Sequence, residues 1–193
     1  LSDGREYPYF MRTRPSSDLV AVAMVDLLLH LFNYTSVGVL SSTDAFGTDT
    51  VRSFSEAAPA AGLSISVSVS FAIGASSFAD VIETLRLSGA RVIATLISSS
   101  IEAHRFTADA LRAGVGGEGY VWLAAYESFD TAAVSEDRED VWGGDAAFRE
   151  RALKGRLALE ASRGHGTARY AAYLARRHQL PPLSGEDGWC SLE

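Results

Sequence analysis

Few residues along this chain can do chemistry, and their spacing decides most of what they could do. Gly114-Val115-Gly116-Gly117-Glu118-Gly119 spells the G-x-G-x-x-G string of dinucleotide-binding loops. It follows a helical pattern and precedes an apolar run, whereas a pyrophosphate site needs the glycines to follow a strand and open a helix. The string therefore reads as a helix-to-strand turn. His30, His104, His165 and His178 fall on separate elements without metal-ligand spacing, and each reads as a surface or boundary residue. No Walker loop, Gly-x-Ser-x-Gly elbow or His-Glu-x-x-His occurs. A Ser-His-Asp triad is spatial rather than sequential, so the many serines leave it open without pointing to it. Cys190 is the only cysteine, which excludes an internal disulfide and a thiolate metal cluster but not a partner outside this chain. The acidic stretch from Ser135 to Asp145 lacks cation-ligand spacing and reads as a solvated loop. No metal and no cofactor is expected. Asn33-Tyr34-Thr35 is a glycosylation sequon built on the only asparagine in the chain.

Composition bounds the rest. A chain of 193 residues, 47% hydrophobic and 21% charged, has room for one α/β domain with its own core, or one domain and a tail. Wholesale disorder, collagen and coiled coil are excluded. The net charge is -7 and no run of Lys or Arg offers a footprint for phosphate backbones, so nucleic acid is not an expected partner. Of the 17 basic residues only Lys154 is a lysine, a bias that reads as GC-rich coding. Leu19 to Phe32, the most apolar stretch, is interrupted by Asp26 and His30 and falls short of the roughly 20 residues a membrane span needs. The chain opens Leu-Ser-Asp without Met or a signal peptide, and it is expected to be a piece of something longer.

The elements that must position these residues alternate. Val20, Met24, Leu27, Leu28 and Leu31 fall at helical spacing behind the cap candidates Ser16 and Ser17. A short apolar run, Val37 to Leu40, leads through a polar turn, Ser41 to Gly47, to a helical pattern from Val51 that ends at Gly62. Ser64 to Phe71 alternates strictly between serine and apolar residues, as a half-buried strand near a sheet edge does. Ser77-x-x-Asp80 reads as a helix start and Ser88-Gly89 as its stop. Arg91 to Ile97 is continuously apolar after its arginine, the pattern of a strand buried on both faces. A helix over Ile101 to Ala113 and a strand over Tyr120 to Ala125 follow, then short helices near Asp145 to Lys154 and Thr167 to Gln179. Four strands separated by helices predict an α/β fold, a parallel sheet with helices on both faces.

Leu1-Ser2-Asp3, Tyr7-Pro8-Tyr9-Phe10-Met11-Arg12-Thr13 and Pro15-Ser16-Ser17-Asp18 resemble a segment of the receptor family ligand-binding region. That family has the bilobed periplasmic-binding-protein-like I fold and includes natriuretic peptide, metabotropic glutamate and type B GABA receptors. The likeness continues in order through Val37-Gly38-Val39-Leu40, Asp44-Ala45-Phe46-Gly47, Gly89-Ala90-Arg91-Val92-Ile93 and Gly119-Tyr120-Val121-Trp122-Leu123. Leu153 to Leu157 and Tyr170 to Leu174 loosely resemble the family's return segment.

The resemblance implies that residues 1–16 are an interlobe crossover and residues 17–130 the second ligand-binding lobe. Residues 131–193 would then hold an acidic loop, the return crossover and part of the first lobe, which is otherwise missing. It further implies a small, amino-acid-like ligand held in the interlobe cleft, signalling by lobe closure, and a parent that is a membrane-anchored dimer with this region extracellular. Lobe-two ligand contacts are expected from loops at the carboxyl ends of the strands, with Ser17, Ser41, Ser42, Phe46, Tyr126 and Glu127 as candidates. Phe46 falls where several members carry a ligand-stacking tyrosine, and packing under its own turn is the competing reading. Tyr126 and Glu127 lie where glutamate-type members place an acid that grips an ammonium. Ser17 stands at a position that is acidic in those members, with Asp18 next to it. Asn33 is the glycosylation candidate. A soluble substrate-binding protein of an amino-acid-type transport system keeps the same fold and is the alternative; a small α/β enzyme is a third reading, for which no nucleophile or phosphate loop is found.

Overall fold

The computed structural model describes Arg5, Tyr9 and residues 15–125, 139–159 and 167–177. Ser16 opens the first element: its backbone is extended and its hydroxyl accepts the Leu19 N–H at 3.4 Å, pairing one of the amides that a helix start leaves open. Helix α1, Ser17–Asp26, buries Val20, Ala21, Met24 and Val25. Its end widens into a π-helical turn, Leu27–Leu31, closed by the Phe32 N–H on the Leu27 carbonyl at 3.1 Å. The wider turn shifts the helical phase, so Leu31, which regular helical spacing places on the core face, is 69% exposed. Asn33 then adopts the left-handed conformation at φ 57°, which asparagine tolerates better than most residues.

From there β1 (Ser36–Ser42), α2 (Ala45–Ala61), β2 (Ser64–Phe71), α3 (Ala79–Ser88), β3 (Val92–Leu96), α4 (Ser100–Arg112) and β4 (Val121–Ala125) alternate as the spacing predicts. The boundaries differ where side chains cap or leave an element. Asp44 caps α2, whose first turn therefore begins at Ala45 and takes in Ala45 to Gly47 of what reads as a polar turn. Asp80 does not complete a capping box; Phe78 precedes α3 without a side-chain cap bond, and the Ser77 hydroxyl takes the Ala79 N–H at 3.2 Å instead. Arg91 stays outside β3, its guanidinium 4.4 Å from the centre of the Tyr120 ring. The glycine-rich segment after α4 is indeed the turn that delivers β4.

Beyond β4 come α5 (Glu139–Trp142), α6 (Ala146–Leu153, capped by Asp145) and β5 (Arg156–Leu159), within a compact unit that runs to Glu160. In the second unit, Ala161–Glu193, α7 covers Ala168–Arg177 and starts on the Thr167 hydroxyl, which accepts the Tyr170 N–H at 3.1 Å. No described helix is long and apolar enough to cross a membrane. His165, His178, Cys190, most of the interlobe crossover and residues 135–138 of the acidic stretch lie outside the described residues.

The five strands are parallel, in the order β2-β1-β3-β4-β5, with β2 at an edge as its serine alternation predicts. The fifth strand exceeds the expected four. It can pair because Gly155, at φ 78°, lets the chain close on β4; a Cβ there would sit 2.2 Å from the Tyr120 carbonyl oxygen. Arg156 anchors it: Nε donates to the Ala152 carbonyl at 3.0 Å, the guanidinium also donates to the Thr107 hydroxyl, and burial pulls its pKa down to about 9. At neutral pH that group still carries its charge.

Strand alternation sorts the core into two layers. Leu40, Ile93, Trp122 and Ala124 face one side with α3 and α4; Val37, Val39, Leu96 and Leu123 face the other with α1 and α2. That two-sided burial is why β3 is apolar at every position but Thr95, whose buried hydroxyl donates to the Leu123 carbonyl at 3.2 Å. Phe71, Phe78 and Phe106 close the first layer with ring centroids 4.9 to 5.5 Å apart, worth about 0.5–1.5 kcal/mol per pair beyond burial. His104 corrects its sequence reading: it is 2% exposed, its ring 5.8 Å from that of Trp142, because α5 covers the outer face of α4. His30 is exposed, as expected.

Candidate functional site

Parallel strands deliver their following turns to one edge of the sheet, and here the order runs outward in both directions from the β1–β3 pair. Such a switch point leaves a crevice outside the carboxyl ends of the strands, because the helices after the two strands depart to opposite faces. The turns after β1 and β3 are tied together across it. The Ser98 N–H donates to the Ser42 hydroxyl at 3.3 Å, the Ser42 hydroxyl donates to Asp44 Oδ1 at 2.5 Å, and the same oxygen accepts the Gly47 N–H at 3.1 Å. Asp44 thus caps α2 and joins both turns. On the β3 side the Ser99 hydroxyl caps α4 by accepting the Glu102 N–H at 3.3 Å.

Burial pushes the Asp44 carboxyl up, but hydrogen bonds from the Ser42 and Ser98 side chains and the Gly47 amide outweigh it and hold the group below its ordinary value. A lowered folded-state pKa stabilises the fold at every pH above the unfolded value, about 3.9, and that contribution disappears as pH falls through the folded value. Asp44→Ala is therefore expected to cost about 1 kcal/mol at neutral pH through loss of the cap. Asp44→Asn should keep most of the cap yet melt with less dependence on pH below about 4 than the unaltered chain. Thermal melting of the three proteins from pH 7 down to pH 3 checks both, and parallel acid profiles for the asparagine variant and the unaltered chain would contradict this role for the carboxylate.

The expected site residues divide. Ser41 and Ser42 end β1 but are buried, at 3% and 1% exposure, so they form the floor of the crevice rather than its wall. Phe46, on the first turn of α2, is half-buried and leans on the layer formed by α1, α2 and β1. Ser17 opens α1, and its hydroxyl donates to Asp49 Oδ2 on the second turn of α2 at 2.6 Å. Asp18, beside it, accepts the Ser53 hydroxyl at 2.6 Å. The structure therefore gathers Ser41, Ser42 and Phe46 at the start of α2 and brings Ser17 to the following turn. Tyr126 and Glu127 lie outside the described residues; Ala125, before them, ends β4 at this same edge. Asn33 is exposed and precedes β1, at the opposite edge.

Asp49 escaped the sequence reading. Its side chain is 52% exposed, and its Oδ1 accepts from Arg52 at 2.8 Å. It stands three residues after Phe46, so one helix face carries an aromatic ring and a carboxylate together. That spacing was the available signal. The contact with Ser17 was not, since 32 residues separate the two.

Hydroxyls, backbone amides, two carboxylates and one ring suit hydrogen-bonded recognition of a small polar molecule. Among the described residues no group of three or more His, Cys, Asp or Glu could hold a metal ion. The Ser42 proton is directed to a carboxylate and not to an imidazole, which is not the geometry that makes serine a nucleophile.

Comparison with known proteins agrees with the geometry. The model of the receptor family ligand binding region matches residues 1–175. A probable metabotropic glutamate receptor, mgl-1 of Caenorhabditis elegans, is 29% identical over 140 residues, covering 67% of this chain and 14% of that protein. The chain thus spans about a seventh of that relative's length.

Proposed function

Because the chain belongs to the receptor family ligand binding region, whose match takes in residues 1–175, we propose that it is the second lobe, with flanking crossovers, of the extracellular ligand-binding region of a membrane receptor. Its ligand is a small amino-acid-like molecule, gripped between this lobe and a first lobe, and lobe closure carries the signal to a parent that works as a membrane-anchored dimer. The observation that carries this reading is the tie between the β1 and β3 turns through Ser42, Asp44 and Ser98, because it stiffens the edge at which an open parallel sheet takes ligands. The metabotropic relative favours a receptor over a soluble transport protein.

In this reading Ser41 and Ser42 support the crevice from below, Phe46 covers the ligand with its open ring face, and Ser17 lines the adjacent turn. Tyr126 or Glu127 supplies the polar grip from the end of β4. Glu127 would take a ligand ammonium by a charge-assisted hydrogen bond. Asn33, exposed at the far edge, would carry a glycan clear of the cleft; mass analysis of the secreted chain reads that directly.

The test is Phe46→Ala in the complete two-lobed region, with affinity measured beside melting temperature. Loss of a stacked ring should weaken whichever amino acid or amine the unaltered region binds by about 1–3 kcal/mol, roughly 5- to 150-fold. The melting temperature should change little, since the ring is only half-buried. Unfolding of the variant, or full affinity in a folded one, overturns the role of that ring.

A further inference from the structure

The outer side of β2 meets no other described strand. Beyond the ladder with β1, the hydrogen bonds of Ser64–Phe71 run to the β1 side: the Ser64 N–H donates to the Thr35 carbonyl, the Ser66 hydroxyl to the Val37 carbonyl, and the Phe71 carbonyl accepts the Thr43 N–H. With the Phe71 carbonyl turned inward, strand alternation turns the N–H and C=O of Ser70 and Ser68 outward. Soluble proteins guard such an edge with charge, proline or a bulge, because its open backbone groups pair with any strand of suitable shape. Here the register shift opposite Val37 and Gly38 leaves Ser66 as a bulge, but from Val67 to Phe71 the ladder runs without interruption. No ionisable side chain lies between Glu56 and Asp80, and the one proline in that interval, Pro59, is in α2. Ser68 and Ser70 are exposed, and Val67 and Val69 are half-buried.

We propose that the β2 edge is an interaction surface for a second copy of this chain, the two β2 strands pairing antiparallel about a two-fold axis near Ser68. Charge selects this occupant. With a net charge of -7 two copies repel, and the uncharged tract that holds β2 is where they approach at least cost. A charged peptide gains nothing specific from it. Antiparallel pairing of identical strands within the regular stretch after the Ser66 bulge sets Ser68 opposite its equivalent, so small hydroxyl residues face one another and no like charges meet. This pairing does not rest on the ligand reading.

Sedimentation equilibrium of the chain across a concentration series tests it, with Ser68→Pro and Ser70→Lys as variants. Ser68→Pro removes an outward N–H that β1 does not use, and Ser70→Lys places a charge beside its counterpart edge. The unaltered chain should rise from 20.6 kDa toward twice that mass, and both variants should stay monomeric. Should the proline variant fail to fold, the lysine variant decides. A second arm uses Ser68→Cys in a Cys190→Ser background: oxidation should link it into dimers, and Ser55→Cys, exposed on α2, should not link. A chain that is monomeric throughout, a dimer that a folded Ser70→Lys leaves intact, or equal cross-linking at both sites overturns the proposal.

Discussion

Gly47→Ala is expected to destabilise the chain by about 3 kcal/mol, the upper end of what overpacking costs. Gly47 lies in the first turn of α2, where the helix starts against the last residue of β1. A Cβ at that position would come within 2.0 Å of the Ser42 carbonyl oxygen and 2.7 Å of its carbon. Those are backbone atoms of a paired strand, so they cannot turn aside as a side chain does. The contrast is Gly38, in the middle of β1, where a Cβ would meet the Ala90 and Val67 methyl groups at 3.1 Å and a few tenths of an ångström of relaxation suffices. Gly38→Ala should accordingly cost about 1 kcal/mol. For a compact unit of this size the Gly47 variant should melt about 6–12 °C lower. Circular dichroism melting measures both, and a Gly47→Ala chain as stable as the unaltered one would mean that the β1–α2 approach is looser than described.

The same close approach shows what could be read from the sequence and what could not. Asp44-Ala45-Phe46-Gly47 was legible as a motif, but its physical content is tertiary. The aspartate caps a helix and accepts a hydrogen bond from the Ser42 hydroxyl, and the glycine admits a strand end. Periodicity disclosed β2 and β3 because burial on one face or on both leaves a direct mark on residue type. Arg156–Leu159 left none, being four residues long and opened by an arginine whose burial depends on Thr107 and Trp122 from other elements. His104 misled for a related reason: Trp142, which covers it, comes from α5, well downstream. The π-helical turn after α1 left no mark either, since its five residues, Leu27 to Leu31, fit an ordinary helix equally well. The carboxyl edge itself was legible, because parallel order alone places the turns after β1, β3 and β4 together. The pairing of Ser17 with Asp49 needed the packing of α1 on α2.

The affinity of this chain by itself should be small. A cleft between two lobes exposes only half its contacts on either one, and the free energy of closure comes from interactions made when both lobes touch the ligand. In the two-lobe reading the chain supplies Phe46 and the Ser42–Asp44–Ser98 tie beneath it, and a ligand resting there would remain open to water on its other side. The exclusion of water that would strengthen a charge-assisted bond to Glu127 is then absent. An amino-acid-like ligand should bind at millimolar concentration or weaker, about 4 kcal/mol or less, and joining the first lobe should tighten it by roughly 100-fold or more. Calorimetric titration of one panel of amino acids and small amines into this chain and into the two-lobed region is the measurement. The two-lobe reading predicts no resolvable heat of binding for the chain and saturable micromolar binding by the complete region; micromolar binding to the chain alone would place the pocket elsewhere and contradict it.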